Sequence, residues 1–281
     1  IPASCSSIGS SAFSSCSGLT SVSFESGSKL ETIDNSAFQS SALQSMEIPA
    51  SCSSIGNNAF QSCSSLKSVT FAAGSQLATI GYSAFAYSGL QSIEIPASVA
   101  TIDSRSNYGS SYGAFYYCRA LRSVTFAAGS QLTQLVPYTF YQSGIESITF
   151  GSDSNLLSIP NNYFQGYISL KTVTFAAGSQ LTSIGNSAFS GSGLESFEVP
   201  ANCSSIGTSA FQSCSGLKTV TFAVGSKLST IGYSAFTNSG LESIEVPASV
   251  VTLLILLPNV LEVMLARGNI MMDNDASCQF C

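Results

Sequence analysis

The sequence predicts an α/β solenoid of about ten stacked repeats, each of roughly 22–25 residues, and two recurring patterns support this prediction. The first is a phenylalanine, usually preceded by alanine, that recurs at an almost regular interval along the chain. These marker phenylalanines are Phe13, Phe38, Phe60, Phe85, Phe115, Phe140, Phe164, Phe189, Phe211 and Phe236. A period in the twenties is typical of a solenoid, because one such repeat cannot bury its apolar face without stacking on its neighbours.

The second pattern predicts one short β-strand in each repeat. Apolar residues fall at L-x-x-V-x-F, as in Leu66, Val69 and Phe71, and the last two are two residues apart. This alternation of β-branched and aromatic residues is typical of a strand with one buried face. In the shorter repeats a proline such as Pro96 follows at once and ends the strand, since proline has no N–H to donate to a neighbouring strand.

A further apolar cluster follows each strand and turn, and we expect it to form a short helical segment. In one repeat it consists of Ile80, Ala84 and Phe85, which are four and five residues apart. That spacing fits a single α-helical or 3₁₀ turn. Each repeat is therefore predicted to contain a strand, a turn, a short helical or 3₁₀ turn and a return segment.

These residues together resemble a known family. The pattern L-x-S-I-x-I-P-A-S-V-x-x-I-G-x-x-A-F-x-x-C-x-x-L is similar to the BspA-like (Treponema-type) leucine-rich repeat, and the resemblance covers residues 1–253. It implies a curved solenoid with parallel strands on the concave face and the helical or 3₁₀ turns on the other side. It also implies a microbial protein that is secreted or held at the cell surface, often in adhesion or host contact.

The repeat pattern predicts a single solenoid domain over residues 1–253, with an insert loop at 103–111. Ile1-Pro2-Ala3-Ser4-Cys5 matches Ile48-Pro49-Ala50-Ser51-Cys52, so the chain starts within a repeat and we expect it to be a fragment without its natural cap. An uncapped strand edge from residue 19 onward favours end-to-end self-association. Residues 254–281 depart from the repeat, and they are either a diverged C-terminal cap or a non-native tail.

Composition and charge argue against two classes of partner. The net charge is −6, and the nine basic residues are scattered singly along the chain. Nucleic-acid binding needs a clustered basic surface, so we expect no nucleic-acid partner, and the same argument applies to an anionic membrane surface. The apolar run Val250–Leu257 is shorter than the roughly 20 residues that span a bilayer, so this segment is not expected to insert into a membrane.

The sequence also argues against an enzyme, a cofactor and a metal site. It contains no histidine, which excludes Ser-His-Asp and Cys-His nucleophile pairs. Carboxylates such as Glu195 and Glu198 lie on a predicted exposed strand rather than in a cleft. Cys278 and Cys281 form a lone C-x-x-C, which is two ligands short of a zinc site. We expect no catalytic residues, no cofactor and no metal.

The remaining cysteines occupy repeated positions that indicate core packing. Cys16, Cys63, Cys118 and Cys214 each follow a marker phenylalanine by three residues. Three more, at Cys5, Cys52 and Cys203, align with valines of sister repeats. A position that accepts valine suits a buried free thiol. A disulfide within one repeat, such as Cys5–Cys16, remains an alternative.

The first candidate binding surface is the tyrosine-rich insert and its flanks. The insert breaks an otherwise constant period, and loops on a rigid scaffold are common recognition sites. Tyrosine and arginine are frequent binding anchors. The candidate residues are Arg105, Tyr108, Tyr112, Tyr116, Tyr117, Arg119, Tyr141 and Tyr167. The alternative interpretation is that tyrosines fill positions vacated by smaller residues and keep their hydroxyls in water.

The second candidate is the concave face that the resemblance implies. Its outward strand positions are rich in hydroxyls, and one of them alternates between glutamate and threonine. The candidate residues are Glu47, Thr70, Glu94, Thr125, Thr149, Thr174 and Glu198. This face is either a soluble surface that keeps like charges off neighbouring strands or a platform for a ligand.

The sequence is most consistent with a non-enzymatic binding scaffold that contacts a protein or glycan ligand, and the resemblance implies that it is secreted or held at the cell surface. The alternative function is a passive structural spacer or a self-associating subunit of a surface coat. The uncapped start of the chain favours this alternative, whereas the tyrosine-rich insert favours the scaffold.

Overall fold

The computed structural model describes residues 1–107, 110–253, 262–265 and 268–270. These residues form two compact lobes, Ile1–Ile145 and Glu146–Cys281. Each lobe is a parallel β-solenoid, and the predicted repeats appear as six turns in the first lobe and four in the second, counted by their marker phenylalanines. The predicted solenoid class is therefore confirmed.

Two rows of parallel strands run through the first lobe. The longer strands are Ser45–Ile48, Ser68–Phe71, Ser92–Ile95 and Ser123–Phe126. A second row, which the sequence patterns did not predict, consists of two-residue strands at Ser7–Ile8, Thr32–Ile33, Ser54–Ile55, Thr79–Ile80 and Thr101–Ile102. In the first turn, where a longer strand was expected, only an isolated bridge joins Ser21 to Ser45.

The second lobe repeats this arrangement. Its longer strands are Ser147–Phe150, Thr172–Phe175, Ser196–Val199, Thr219–Phe222 and Ser243–Val246. Its short strands are Ser158–Ile159, Ser183–Ile184, Ser205–Ile206, Thr230–Ile231 and Thr252–Leu253. The strands of both rows pair in parallel with equivalent residues opposite one another, as in Ser205↔Ser183 and Thr221↔Glu198.

Stacked phenylalanines form the centre of each core. Nine marker phenylalanines are fully buried, and only Phe13, in the first turn, is half-buried. Neighbouring rings lie almost parallel, with centroids 5.2 Å apart for Phe60 and Phe85 and 5.4 Å apart for Phe85 and Phe115. A residue that repeats at the same place in every turn meets its own equivalent, so one residue type fills a continuous column.

The prediction of helical or 3₁₀ turns is wrong, because the described residues contain no helix. The segment around each marker phenylalanine is a series of tight turns. Backbone N–H groups alternate in direction: Ala37 donates to Asp34 within its own turn (3.2 Å), whereas Phe38 donates to Ala59 of the next turn (2.8 Å). A 3₁₀ helix would direct every N–H into its own segment.

Left-handed backbone conformations cause this alternation. In nearly every turn the residues two before and two after the marker phenylalanine have positive φ, as in Ser36 (57°) and Ser40 (56°) around Phe38, and Gly113 before Phe115 is the exception. Each such residue reverses the local handedness of the backbone, so a helical turn cannot form across it. The alternate N–H groups then join neighbouring turns as a parallel ladder would, which satisfies polar groups that are otherwise costly to bury.

Proline interrupts the longer ladder at regular intervals. We call strands followed directly by proline proline-ended, and those followed by alanine alanine-ended. Where two longer strands are paired, the residue that follows the later strand donates its N–H to the last residue of the earlier one. Ala72, for example, donates to the carbonyl of Ile48 at 3.0 Å. The next equivalent residue is Pro96, which has no N–H to donate to Phe71. No ladder joins Ser68–Phe71 to Ser92–Ile95, and the same break precedes the proline-ended strands Ser196–Val199 and Ser243–Val246.

Two segments add antiparallel strands. The insert, which we expected to be a loop, contains Ser104–Asn107 paired antiparallel with Ser110–Gly113, and Tyr108 and Gly109 lie outside the described residues. Near the C-terminus, Glu262–Leu265 pairs in parallel with Ser243–Val246 and antiparallel with Gly268–Ile270. The rest of 254–281 is outside the described residues, so its assignment as a cap or a tail stays a prediction.

Candidate functional site

Six tyrosines of the first lobe form one aromatic cluster, which we call the tyrosine surface. Tyr116 lies at its centre, with ring centroids 4.7 Å from Tyr117, 5.0 Å from Tyr112 and 5.8 Å from Tyr141. Tyr87 contacts Tyr116 and Tyr117 at 5.7 and 5.2 Å, and Tyr138 contacts Tyr141 at 5.8 Å. Tyr87, Tyr138 and Tyr141 are each 42% exposed, so the cluster is accessible from outside.

The turn geometry positions these rings in columns. Tyr116 and Tyr141 each follow a marker phenylalanine by one residue, and their rings stack at an interplanar angle of 17°. Tyr87 and Tyr117 each follow one by two residues. Backbone hydrogen bonds fix the columns, because Tyr87 donates to Tyr116 (3.0 Å) and Tyr117 donates to Tyr141 (2.9 Å).

Three of these tyrosines adopt left-handed backbone conformations. The φ angles are 58° at Tyr87, 55° at Tyr117 and 65° at Tyr138. At the equivalent left-handed positions of other turns the chain places serine, asparagine or glycine, and one glutamine, Gln142. A bulky residue with positive φ is an outlier, and such outliers concentrate at functional sites.

The sequence prediction found part of this surface. The structure brings together Tyr112, Tyr116, Tyr117 and Tyr141, all of which were predicted candidates. It adds Tyr87 and Tyr138, which were not among the candidates. Their position relative to the nearest marker phenylalanine would have identified them. Tyr87 follows Phe85 by two residues just as Tyr117 follows Phe115.

The arginines near this surface have different roles. The Arg119 guanidinium lies over the Tyr117 ring, 5.0 Å from its centroid, in a cation–π contact. Arg122 donates to the carbonyls of Arg119 (2.7 Å) and Gly144 (3.2 Å), which ties two turns together. Arg105 lies in the strand Ser104–Asn107, but its side chain is outside the described part of the structure, as is Tyr108.

Tyr167 belongs to the second lobe, whereas the tyrosine surface belongs to the first. Its ring packs edge-on against Phe164, with centroids 5.5 Å apart, and it is half-buried. Tyr167 follows Phe164 by three residues, which is the position that the buried Cys63 and Cys118 occupy after their own marker phenylalanines. This position faces the core, so Tyr167 fits the alternative interpretation of tyrosine as a filler.

Burial and neighbouring phenols raise two tyrosine pKa values. Loss of hydration is the largest cause of the raised pKa of Tyr87 and of Tyr116, and the nearby tyrosine oxygens raise both further. A phenol whose pKa lies above its ordinary value of about 10 stays neutral at physiological pH. Both hydroxyls therefore keep their protons at physiological pH.

The candidates predicted for the concave face all lie on the outward side of the longer strands, which we call the strand face. Glu47, Thr70 and Glu94 are exposed, and Thr125 is partly exposed. In the second lobe, Thr149 is partly exposed and Thr174 and Glu198 are exposed. In the ladders between longer strands at this position a glutamate or threonine faces a threonine, as in Glu47↔Thr70, Glu94↔Thr125 and Thr149↔Thr174, whereas Glu245 faces Met264 near the C-terminus. No two glutamates are therefore opposite each other in the described ladders.

The cysteines of the described residues are free thiols, so the alternative of a Cys5–Cys16 disulfide is not seen. Cys63, Cys118 and Cys214 are fully buried, whereas Cys16, in the first turn, is half-buried. The Cys118 thiol donates to the Phe85 carbonyl at 2.9 Å, and burial raises its pKa to about 11. A buried, protonated thiol is a poor nucleophile.

We expect thiol reagents to distinguish these cysteines. In the native protein, maleimide should label Cys5 and Cys16 well before Cys63, Cys118 and Cys214, which should react only after unfolding. Labelling of Cys118 should stay slower than labelling of Cys16 at both pH 7 and pH 9, because its thiol is buried and remains mostly protonated below a pKa of about 11. Labelling is measured by peptide mass spectrometry, and labelling of native Cys118 as fast as Cys16 would contradict the buried position. Cys278 and Cys281 lie outside the described residues.

Two properties of the described residues bear on other functions. No group of three or more histidine, cysteine or carboxylate side chains there is arranged to hold a metal ion. The same part of the chain has no helix of the length and apolarity that crossing a membrane requires.

Comparison with known proteins gives a family and several similar folds. The family model of the BspA type leucine-rich repeat region matches residues 1–113, 111–218 and 133–254, in six copies. A leucine-rich repeat protein from Bacteroides ovatus is 21% identical, over 89% of this chain and 72% of that chain, with a TM-score of 0.46. The pneumococcal vaccine antigen PcpA is 20% identical, over 94% and 78%, with a TM-score of 0.40. A leucine-rich cell surface protein from Faecalibacterium prausnitzii is 20% identical, over 89% and 87%, with a TM-score of 0.39. No curated protein matches the chain.

Proposed function

The chain belongs to the BspA type leucine-rich repeat family, and on that premise we propose that it is a non-enzymatic scaffold that binds a protein or glycan through the tyrosine surface. Members of this family are often surface proteins, so we place this scaffold at the cell surface or outside the cell. Leucine-rich repeat proteins typically have no catalytic activity of their own. The proposed role is therefore recognition, in adhesion or in contact with a host.

The left-handed tyrosines carry this proposal. A non-glycine residue in this conformation costs about 1–2 kcal/mol, which asparagine reduces through local hydrogen bonds. Tyr87, Tyr117 and Tyr138 accept this cost at positions where other turns place small or polar residues. In this conformation the three tyrosine rings are partly exposed and do not fill the core. Exposed, clustered tyrosines bury large areas on binding at small entropic cost.

The strand-face residues are the second candidate surface within the same function. Their hydroxyls and carboxylates are exposed, but their backbone is regular and their side chains have the alternation that solubility alone requires. None of them has a left-handed backbone conformation. We therefore rank them after the tyrosine surface.

The test is a triple variant, Tyr87→Asn, Tyr117→Asn and Tyr138→Asn. Asparagine tolerates the left-handed conformation, so relief of strain should offset the lost ring contacts, which contribute about 0.5–1.5 kcal/mol each. We expect the free energy of unfolding to change by less than about 2 kcal/mol, while binding to an array of extracellular proteins and glycans falls about tenfold or more. Array binding and urea unfolding measure the two effects.

Matched controls separate the surface from the fold. Ser36→Asn, Ser40→Asn and Ser62→Asn change the equivalent left-handed positions of other turns and should leave binding unchanged. Thr125→Lys tests the strand face. If Thr125→Lys abolishes binding and the tyrosine variant does not, the strand face is the binding site. If nothing on the array binds and the solution mass grows without limit as concentration rises, the self-associating structural role replaces the scaffold.

A further inference from the structure

Three crevices each lie directly before a strand that is followed by proline. In the first lobe, one crevice of about 600 Å³ lies between Ser68–Phe71 and Ser92–Ile95. Another of about 490 Å³ lies at the equivalent place two turns earlier, between Val22–Phe24 and the region of Glu47 and Pro49. The second lobe has one of about 580 Å³ between the strands Thr219–Phe222 and Ser243–Val246. These volumes fall within the range of ligand sites.

The three crevices share the same chemistry. Each is lined by a half-buried phenylalanine, which is Phe24, Phe71 or Phe222. In contrast, Phe126 occupies the same position in a strand whose following strand has no proline, and it is fully buried. The missing proline N–H thus coincides with an aromatic ring that is open to solvent. Serine and threonine hydroxyls, such as those of Ser68 and Thr70, surround the ring.

The charge of the crevices has one sign. Glu47, Glu94 and Glu245 line the three crevices and are exposed, and no lysine or arginine lines any of them. Among the ion pairs recorded for the described residues, none involves these three glutamates. Each crevice therefore combines an apolar ring, hydroxyls and an unpaired carboxylate, which together favour a ligand with apolar and basic groups.

The spacing of the crevices restricts the ligand's shape. Adjacent turns of a parallel ladder are about 4.8 Å apart, so the two crevices of the first lobe, separated by two turns, are about 10 Å apart. A polyproline II helix presents the same face every three residues, or about 9.3 Å. An extended β-strand presents the same face about every 6.6–6.8 Å. An α-helix completes one turn in about 5.4 Å. Of these three backbones, polyproline II matches the crevices best.

We infer that the crevices between Phe24 and Glu47 and between Phe71 and Glu94 bind a proline-rich peptide in the polyproline II conformation, with a basic residue at every third position. Proline rings would pack on the two phenylalanines, as proline-rich ligands pack in aromatic grooves. The basic side chains would pair with the two glutamates. A polyproline II backbone has no internal hydrogen bonds, so its carbonyls can accept from the Ser68 and Thr70 hydroxyls. This site is separate from the tyrosine surface and does not depend on the function proposed for it.

The test uses a fluorescent peptide of four Pro-Pro-Arg repeats and the full chain. We expect saturable binding by fluorescence anisotropy. A peptide of four Gly-Ser-Arg repeats has the same charge on a flexible backbone and should bind about tenfold more weakly, since it must be ordered on binding. Glu94→Gln and Phe71→Ala should each weaken binding of the proline-rich peptide about tenfold. Glu31→Gln and Phe13→Ala change the same residue types outside the crevices and should have no effect.

The outcomes decide between ligand classes. Equal binding of the two peptides would show charge attraction alone and overturn the inference, as would undiminished binding by a folded Phe71→Ala protein. If Phe71→Ala unfolds, the exposed Glu94→Gln variant still decides the question. If a linear oligosaccharide binds with a loss in Glu94→Gln and the proline-rich peptide does not bind, the crevices are glycan sites and the inference fails. The tyrosine variants keep their own readout on the array, so the two proposals fail independently.

Discussion

Replacing Phe85 by alanine should lower the free energy of unfolding by about 3–5 kcal/mol, the usual cost of truncating a buried phenylalanine. The Phe85 side chain is fully buried and stacks between Phe60 and Phe115 at 5.2 and 5.4 Å. Truncation therefore leaves a cavity and removes ring contacts to both neighbouring turns. In a solenoid each turn is stabilised mainly by its interfaces with its neighbours, so two interfaces weaken at once. Urea unfolding followed by circular dichroism measures the loss.

Phe13→Ala is the matched control for this change. Phe13 has the same place in the first turn, but it is half-buried and stacks only on Phe38, at 5.2 Å. Its truncation should cost less than half as much as that of Phe85. Equal losses at both positions would mean that stacking between turns does not determine stability, and the account of the core would be wrong.

The strand half of each repeat was predictable and the turn half was not. Alternation in Leu66–Phe71 has one structural solution, since a period of two places every second side chain in the core. The spacing of Ile80, Ala84 and Phe85 fits a helical turn, but it fits consecutive tight turns equally well. Residues with a left-handed backbone conformation favour the tight turns over the helical turn. Serine in a sequence does not indicate this conformation, whereas glycine often does. Ser83, for example, has a φ of 53°, and its residue type does not indicate a left-handed conformation.

The site was predictable in its place but not in its membership. The interrupted period and the tyrosine-rich composition pointed to residues 103–119 and their flanks, and the structure clusters the tyrosines at 112–117. Tyr87 was missed because it lies a full repeat before Tyr112, outside the insert. Stacking of turns brings such distant residues together, so position relative to the marker phenylalanine predicts proximity better than distance along the sequence.

The role of the prolines shows the same limit. Pro96 was predicted to end its strand, and the strand Ser92–Ile95 ends directly before it. The larger consequence is the break in the ladder toward Phe71, which depends on the direction in which the missing N–H would point. The direction of that N–H depends on the register between two neighbouring strands, and the sequence of one strand does not determine the register. The crevices were therefore not predictable from the repeat alone.

Gly81→Ala should destabilise the first lobe by about 1–3 kcal/mol, the usual cost of adding a methyl group to a packed interior. Gly81 is buried, and a Cβ there would lie 2.7 Å from the backbone nitrogen of Asn57 and 2.7 Å from the carbonyl carbon of Gly56. Both atoms are backbone, so the clash can be relieved only by separating two turns. Separation would lengthen the hydrogen bonds from Gly81 to Ile55 (2.8 Å) and from Tyr82 to the Asn57 side chain (3.1 Å).

Gly9→Ala provides the control, because Gly9 has the same place in the first turn and nothing lies within 4 Å of its Cβ position. Neither glycine has a positive φ, so alanine can adopt the backbone conformation at both sites. Without a clash, glycine-to-alanine replacement restricts the unfolded chain and stabilises by about 0.4–1 kcal/mol. Thermal melting should therefore move in opposite directions, down for Gly81→Ala and unchanged or up for Gly9→Ala. Stabilisation by both would show that the turns can separate without cost, whereas destabilisation by both would trace the effect to the backbone of glycine rather than to the contact between turns.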